Sequence, residues 1–327
     1  MTTLITGAGM IGSLAAARIL AEQGEPPVLY DVAFSMQNLG ERIDVDAIQM
    51  VKGDITDIGD LIQTIETHKI DRIIHTASFL TRDLIARPVA GVRVNLMGTL
   101  SVLEAARLTG VERVVFCSST VVTMGRQVVA PDDDTVEDFA INVVSEYPPS
   151  LYASMKLASE WLCHNYHETY GVDAVAVRFG GVFGPWHGIP GGGPSKLLKQ
   201  LIECAERGEV YRIAEDDLHR QGMDYTYSPD GAQALVRAAT ATDPPNRIYN
   251  ATMGQLHTIA DVIQLIEKAA GKSIELEITQ EDSMTKYSNP TSPMDLTNSK
   301  NDLGYDVEYP MDVAVADYLQ WLRTTRA

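Results

Sequence analysis

Short apolar runs alternate with longer segments of helical periodicity through the first 180 residues of the chain. The predicted strands are 2–6, 28–30, 48–51, 72–75, 114–120 and 174–177, and the predicted helices are 14–20, 58–68, 92–108 and about 151–170. Repeated strand–helix units require parallel strands that are covered by helices on both faces. The pattern therefore predicts an α/β fold with a doubly wound parallel sheet.

Chain-breaking residues cluster after the last of these strands, in Gly180-Gly181, Gly184-Pro185 and residues 188–194. We place a domain boundary there, since 327 residues are enough for two hydrophobic cores. Residues 1–178 form the predicted first domain, to which about 224–250 return. Residues 179–327 mainly form a smaller C-terminal α/β substrate domain.

A glycine-rich turn, residues 7–12 (Gly-Ala-Gly-Met-Ile-Gly), lies between the first predicted strand and helix. Asp31 follows the second strand, 19 residues after Gly12. In dinucleotide-binding folds the glycines let the backbone approach the pyrophosphate, and such an acid binds the ribose hydroxyls. The spacing predicts a Rossmann-type NAD site, whereas the alternative is a tight strand-to-helix turn without a ligand.

Tyr152 and Lys156 are four residues apart on a predicted helix and so share one face. A free phenol has a pKa of about 10, and a neighbouring ammonium together with a cationic nicotinamide ring favours the phenolate. The pair is therefore a candidate for proton transfer. The alternative is one packed tyrosine and one solvated lysine.

Hydroxyl side chains end the predicted strand at 114–120, in Ser118-Ser119-Thr120. Ligands of open α/β sheets bind outside the carboxyl ends of the strands, which places these hydroxyls near the chemistry. Serine runs are also ordinary turn formers, so position alone leaves both interpretations open.

The net charge is −18, from 26 basic and 44 acidic residues. It disfavours nucleic acid and anionic membranes as partners. Cys117, Cys163 and Cys204 have no spacing typical of disulfide frameworks or zinc sites, which fits a reducing cytoplasm. We expect no metal site, no export signal and no membrane span.

With these motifs in place, the chain resembles the extended short-chain dehydrogenase/reductase family, the NAD-dependent epimerase/dehydratase group. The matching segments are the glycine turn with Asp31, Gly53-Asp54-Ile55, His75-Thr76-Ala77, Asn95 within 94–107, Ser118-Ser119-Thr120, Tyr152-x-x-x-Lys156, Arg178-x-x-Gly181-x-x-Gly184-Pro185 and Asp224-Tyr225-Thr226-Tyr227. The resemblance covers nearly the full length of the chain.

The resemblance implies a catalytic set in which Ser119 holds the substrate oxygen, Tyr152 moves its proton, and Lys156 tunes Tyr152 and binds the cofactor ribose. It also implies a homodimer built from helices 92–108 and 151–170. The implied NAD-binding residues are Gly7, Gly9, Met10, Ile11, Gly12, Asp31, Asp54, Ile55, Thr76, Ala77, Ser78, Asn95, Cys117, Tyr152, Lys156 and Phe179.

The chain departs from the family pattern at several positions. Thr6 stands where the first glycine of the turn is usual, and one extra residue after Ser119 makes Thr120 an alternative substrate hydroxyl. The Asp-Glu pair of the dehydratases is replaced by 121–122 (Val-Val), which argues against elimination. Sugar-nucleotide members have Asn and Arg at the positions of Gly181 and Met223, so a UDP-sugar is disfavoured unless Arg220 or Arg212 substitutes.

These observations predict an NAD-dependent oxidoreductase that acts on a secondary alcohol or ketone of a small, polar, anionic substrate, such as a hydroxy acid or sugar acid. The alternatives are an epimerase that keeps its NAD bound and a non-catalytic NAD sensor. The predicted substrate contacts are Ser119, Thr120, Arg126, Arg178 and Gly181. Arg178 is the first candidate for binding a carboxylate through two parallel hydrogen bonds, ahead of Arg82, Arg87 and Arg126.

Overall fold

The computed structural model describes residues 1–123, 137–138, 150–188, 193–218, 222–280 and 292–325. The strands are β1 (Thr2–Thr6), β2 (Val28–Asp31), β3 (Gln49–Lys52), β4 (Ile70–His75), β5 (Arg113–Ser119), β6 (Ala174–Phe179), β7 (Gly181–Phe183), β8 (Tyr211–Ala214), β9 (Met223–Tyr227), β10 (Ile248–Ala251), β11 (Leu256–His257) and β12 (Leu276–Thr279).

The helices are α1 (Met10–Gln23), α2 (Met36–Gly40), α3 (Ile58–His68), α4 (Thr81–Ala86), α5 (Pro88–Val92), α6 (Gly98–Thr109), α7 (Leu151–Tyr170), α8 (Gly193–Arg207), α9 (Glu215–Leu218), α10 (Ser228–Thr240), α11 (Ile259–Ala270), α12 (Thr297–Leu303) and α13 (Met311–Thr325). A π-helical turn, Arg93–Met97, joins α5 to α6, and 3-10 turns occupy Val45–Ala47 and Thr120–Thr123.

Seven parallel strands form the central sheet in the order β10-β6-β5-β4-β1-β2-β3. The chain order reverses between β1 and β4, so a crevice opens at the carboxyl ends of these two strands. The predicted doubly wound α/β fold is confirmed.

Helices cover both faces of the sheet, which explains why most of its strands are continuous hydrophobic runs. All six residues of β6 are buried. One face packs against α1 and α10, and the other packs against α3, α6 and α7. The sheet is therefore enclosed by two helical layers, and its carboxyl edge is the place where polar side chains gather.

A second hydrophobic cluster lies among α8, α11 and α13. It is bordered by a three-stranded sheet, β11-β9-β7, and by the parallel pair β12-β8. Helix α11 begins at Thr258, whose hydroxyl and main chain are both bonded to Asp261 in a capping box. In this region β10 pairs with β6 of the large sheet and α12 packs on β10, so the chain returns to the first core twice.

The segment after β2 is fastened to the segment after β7. Asn38 accepts a hydrogen bond from the main-chain nitrogen of His187 (2.9 Å) and donates to its carbonyl oxygen (3.3 Å). Arg42 donates to the carbonyl of Pro185 and stacks over the ring of Trp186 at 5.2 Å. These contacts fix the second cluster beside the carboxyl edge of the sheet.

One stretch of helix, Pro88–Thr109, is long and apolar enough to cross a membrane by length and composition alone. Its inner face, which includes Val102, Leu103 and Ala105, is fully buried in the core. Core helices of soluble proteins pass the same test, so this stretch is weak evidence for a membrane span.

A buried histidine links β1, β4 and α6. The Nδ1 atom of His75 lies 2.6 Å from the Thr6 hydroxyl, and its Nε2 atom lies 3.1 Å from the Thr99 hydroxyl. Burial, together with the positive charge of Lys156, lowers the pKa of His75 to about 3. The ring is therefore neutral in the folded protein near neutral pH.

We expect the wild type to lose stability relative to His75→Gln as the pH falls from about 6.5 to 5. The unfolded chain binds a proton at His75 with a pKa of about 6.5 and the folded chain does not, which costs the wild type about 1.4 kcal/mol per pH unit. Urea unfolding at several pH values measures this difference. The exposed His164→Gln variant is the control, and parallel curves for the wild type and His75→Gln would contradict the assignment.

Candidate active site

The glycine turn between β1 and α1 is shaped by close backbone contacts. Gly7 has a φ of +92°, and a Cβ there would lie 2.6 Å from the main-chain nitrogen of Ala77. A Cβ on Gly12 would lie 1.9 Å from the carbonyl oxygen of Gly7. Among the residues that the structure describes, a Cβ on Gly9 would meet nothing within 4 Å. The outer side of the turn is therefore open at the N-terminus of α1, where a pyrophosphate fits.

Thr6 replaces the glycine that is usual in the family, and the turn accommodates it. Its side chain is buried and bonded to His75, away from the open side of the turn. The turn is closed by the Gly7 N–H, which donates to the Tyr30 carbonyl (2.8 Å), and by the Thr76 hydroxyl, which lies 2.9 Å from the Thr6 carbonyl oxygen.

Asp31 lies at the end of β2, beside the glycine turn. One carboxylate oxygen accepts from the Ala8 N–H at 2.6 Å, and the other accepts from the Ala33 N–H at 3.1 Å. Both bonds use backbone donors and hold the carboxylate at the rim of the open turn. Each carboxylate oxygen has further acceptor capacity, so the arrangement fits a ribose with two hydroxyl donors.

The other predicted cofactor residues also occupy the carboxyl edge of the sheet. Met10 and Ile11 begin α1, residues 76–78 follow β4, and residues 54–55 follow β3. Ile55 is buried and packs against Gly98, so its side chain supports α6.

Asn95 lies in the π-helical turn before α6, and its side chain is committed to the backbone of Phe79. The amide oxygen accepts from the Phe79 N–H (2.6 Å), and the amide nitrogen donates to the Phe79 carbonyl (2.8 Å). A π turn inside a helix often marks a functional site. Here it places Asn95 under the segment after β4, and a direct contact with the cofactor stays a prediction.

Helix α7 brings Tyr152 and Lys156 to the end of β5. The helix begins at Ser150, whose hydroxyl accepts from the Ala153 N–H at 3.1 Å. The Lys156 ammonium donates to the carbonyl of Cys117 at 2.6 Å and lies 5.6 Å from the centroid of the Tyr152 ring. The predicted Tyr–Lys pair is thus assembled beside the strand that carries the predicted hydroxyls.

Ser119 is the hydroxyl that the structure places next to Tyr152. Burial raises the pKa of Tyr152, and a hydrogen bond with Ser119 partly offsets this effect. Thr120 is only 4% exposed and begins the 3-10 turn after β5. Of the two candidate hydroxyls, Ser119 is therefore the one that faces Tyr152.

The pKa of the Lys156 ammonium is lowered by burial, and nearby Cys117 and Glu160 oppose this shift. A buried ammonium close to a part-buried phenol makes the phenolate easier to form, because opposite charges attract strongly in a poorly solvated site. The geometry therefore suits proton transfer at the Tyr152 oxygen.

A sequence model of the NAD dependent epimerase/dehydratase family matches residues 3–252. The chain belongs to this family. It is an NAD-dependent enzyme of the extended short-chain dehydrogenase/reductase type, and the predicted cofactor, NAD, is confirmed.

Similar proteins in this family differ in the reaction that they catalyse. The UDP-glucose 4-epimerase of Mycolicibacterium smegmatis is 32% identical over 244 residues, which cover 73% of this chain and 73% of that protein. The GalE-like L-threonine dehydrogenase of Cupriavidus necator has a TM-score of 0.80 and 25% identity, covering 98% of this chain and 100% of that chain. The UDP-glucose 4-epimerase of Thermotoga maritima has a TM-score of 0.82 at 22% identity over the whole of both chains, which shows the fold alone.

The structure corrects the predicted role of Arg178. Its guanidinium is 2% exposed and binds the carboxylate of Glu160 through two hydrogen bonds of 2.8 Å. The carboxylate that Arg178 binds therefore belongs to the protein itself. The guanidinium is not available to bind a substrate carboxylate through two parallel hydrogen bonds. Arg126, another predicted substrate contact, lies outside the described residues.

Glu160 is the residue of the site that the sequence analysis missed. It lies four residues after Lys156 and eight after Tyr152, so all three share one helix face. That spacing was the available signal, but a glutamate on a helix is more often solvated, and the sequence alone does not show that this face is buried.

The two positions that distinguish sugar-nucleotide members from this chain are in contact with each other. A Cβ on Gly181 would lie 2.8 Å from the Met223 sulfur and 3.0 Å from the Tyr225 ring. Apolar groups therefore fill the space next to Gly181. Arg212, a possible substitute for the missing arginine, pairs with Glu277 at 3.2 Å on the exposed face of β8 and β12, and Arg220 lies outside the described residues.

The wild-type enzyme is expected to bind NAD more tightly than NADP, because the Asp31 carboxylate repels a 2′-phosphate. Asp31→Asn keeps an acceptor for the Ala8 N–H but removes the charge. The substitution should weaken NAD binding by about tenfold or more, which is the usual effect of losing a charged hydrogen bond. It should also narrow the difference in affinity between NAD and NADP. Calorimetric titration measures both affinities, and a wild type that prefers NADP would contradict the role of Asp31.

Proposed function

We propose that this enzyme oxidises a secondary alcohol, or reduces the corresponding ketone, of a small, polar, anionic substrate without a nucleotide. The observation that carries the reaction class is the placement of Tyr152, a part-buried phenol bonded to Ser119 and beside the Lys156 ammonium. A hydroxy acid or a sugar acid is the substrate class that fits best.

In this proposal Ser119 holds the substrate oxygen and Tyr152 exchanges a proton with it. When bound, NAD accepts a hydride from the carbinol carbon or, once reduced, returns it. During oxidation the Tyr152 phenolate removes the hydroxyl proton, and during reduction the phenol donates it. Lys156 stabilises the phenolate by its positive charge, and its own position is fixed by the Cys117 carbonyl.

The contacts around Gly181 support a substrate without a nucleotide. The Met223 thioether and the Tyr225 ring occupy the space that a polar side chain at 181 would need. A diphosphate gains little from such groups, because its desolvation requires charged or hydrogen-bonding partners. The similarity to an L-threonine dehydrogenase adds support, since L-threonine is a small acid with a secondary alcohol.

The anionic character of the substrate now depends on cations other than Arg178. Arg87 stacks over Phe79 at 4.8 Å and lies 3.7 Å from Asp83. Arg82 is exposed on α4, which packs against the catalytic helix α7. Among the residues that the structure describes, we therefore propose Arg82 as the cation that attracts a substrate carboxylate.

The second candidate function is a sugar-nucleotide 4-epimerase with permanently bound NAD, which the 32% identity to the Mycolicibacterium smegmatis enzyme favours. The intact Ser119, Tyr152 and Lys156 argue against a non-catalytic sensor, which has no use for a proton-transfer group beside a hydride acceptor.

We expect reduction of NAD, followed at 340 nm, with at least one small hydroxy acid or sugar acid, and slower turnover of its neutral alcohol analogue. Tyr152→Phe should lower kcat by about 10²-fold or more, because general acid–base catalysis typically contributes this much, and leave NAD affinity unchanged. Tyr166→Phe, which only removes a bond to Glu104 on the outer part of the same helix, is the control. Interconversion of UDP-sugars without any net NAD reduction would support the epimerase instead.

We also propose that the enzyme is a homodimer, joined through the faces of α6 and α7 that lie away from the sheet. Several large apolar side chains are exposed on these helices, including Leu108 (53%) of α6 and Leu151 (43%) and Trp161 (59%) of α7. A patch of this kind on two neighbouring helices is typical of an interface. A second copy of the same patch is the partner that the family resemblance favours.

Light scattering at micromolar concentration is expected to give the mass of a dimer, and Trp161→Glu should give a monomer, because a charge is costly to bury at the centre of an apolar interface. Val210→Glu, which changes an exposed apolar residue at β8, is the control. A monomeric wild type would contradict the proposal.

We place the enzyme in the cytoplasm with a small molecule as substrate. All three cysteines are free thiols in the structure. The charge of −18 also opposes binding to nucleic acid or anionic lipid.

A further inference from the structure

Three consecutive residues at the end of β5 are each held by a residue of one face of α7. The pairs are Cys117 with Lys156, Ser118 with Glu160 and Ser119 with Tyr152. The first two pairs are short contacts, 2.6 Å from the ammonium to the Cys117 carbonyl and 2.5 Å from the Ser118 hydroxyl to the Glu160 carboxylate. Strand β5, which carries the proposed substrate-binding hydroxyl of Ser119, and helix α7, which carries Tyr152, are thus joined by three successive pairs of residues.

Glu160 is itself fixed from the other side by β6. Arg178 donates to both of its carboxylate oxygens at 2.8 Å, and the two side chains are 1% and 2% exposed. Arg178 also donates to the carbonyl of Glu137 at 2.8 Å. The Glu137 side chain in turn accepts from the Asn250 N–H and the Asn298 amide, so β6, β10 and α12 all support the carboxylate of Glu160.

We propose that Glu160 is a positioning residue for the oxidoreductase reaction: through Ser118 and Arg178 it fixes the end of β5 against α7, so that Ser119 and Tyr152 reach the same substrate oxygen. This inference rests on the proposed function. In this role Glu160 does not touch the substrate; it acts through Ser118, which precedes Ser119 in β5, and through Arg178 of β6.

The charge of Glu160 gives this role a measurable signature. Cys117 of β5 acts electrostatically on both Tyr152 and Lys156, whereas Glu160 and Cys163 of α7 act on Lys156. His75 of β4 and Arg178 of β6 lie beside these groups. Glu160 and Arg178 together carry no net charge. Removing only the Glu160 charge leaves a buried guanidinium nearby, which favours the Tyr152 phenolate and disfavours the Lys156 ammonium.

The first experiment titrates Tyr152 in the NAD complex without any turnover. The absorbance change at 295 nm is recorded for each variant and for the same variant carrying Tyr152→Phe, and the difference reports the Tyr152 phenolate. In Glu160→Gln the midpoint should fall by about one pH unit. In the double variant Glu160→Gln/Arg178→Met, which removes both charges, the midpoint should return to the wild-type value. An unchanged midpoint in Glu160→Gln would overturn the electrostatic part of the inference.

The second experiment measures kcat, and uses a variant in which the ion pair stays intact. Ser118→Ala should lower kcat about tenfold, since it frees the end of β5, and leave both the Tyr152 midpoint and the affinity for NAD unchanged. The control is Ser159→Ala, which removes an equally buried hydroxyl from the neighbouring position of α7 and should keep wild-type kcat.

Wild-type kcat in Ser118→Ala would overturn the positioning role. Because the Tyr152 titration needs no substrate, a protein that titrates as expected but oxidises no small alcohol would refute the proposed function and leave the electrostatic role of Glu160 standing. If Glu160→Gln does not fold, the double variant and Ser118→Ala still decide the outcome, because neither leaves an unpaired buried charge.

Discussion

Burial of three charged groups at one end of the sheet is the constraint on which the site depends. Lys156, Glu160 and Arg178 are each at most 3% exposed, on α7 and β6. An unpaired buried charge costs several kcal/mol, so each group must keep its partners. Lys156 and Glu160 are bonded to the end of β5, and Glu160 is also paired with Arg178. Helix α7 is therefore unable to shift along the sheet without leaving a charge or a carbonyl unsatisfied.

The same edge of the sheet explains why binding and chemistry meet there. Reversal of strand order between β1 and β4 opens the crevice, and the glycine turn brings the N-terminus of α1 to its rim. The hydrogen-bonded series Thr6, His75 and Thr99 ties the two strands to α6 beneath the turn. In the proposed function, the cofactor-binding turn and the proton-transfer residues lie on opposite sides of one switch point, whose strands set the distance between them.

Patterns that depend on local backbone chemistry were predictable from the sequence. The strand at Thr2–Thr6 and the helices at Ile58–His68 and Leu151–Tyr170 have the predicted bounds, because glycines, caps and apolar spacing act over a few residues. The partners of charged side chains were not predictable in this way. Arg178 lies where a strand-end ligand was expected, but the sequence does not show that Glu160 faces it from another element, since their contact depends on the packing of α7 on β6.

In the proposed function, the cofactor is a substrate of net oxidation and not a permanent part of the protein. The most direct measurement is the exchange of bound NAD with isotopically labelled NAD, followed by filtration and mass spectrometry in the absence of any other substrate. A net oxidoreductase must release its cofactor in every cycle, so the account predicts full exchange within seconds to minutes. Bound NAD that stays unlabelled for hours would contradict it and would indicate an epimerase.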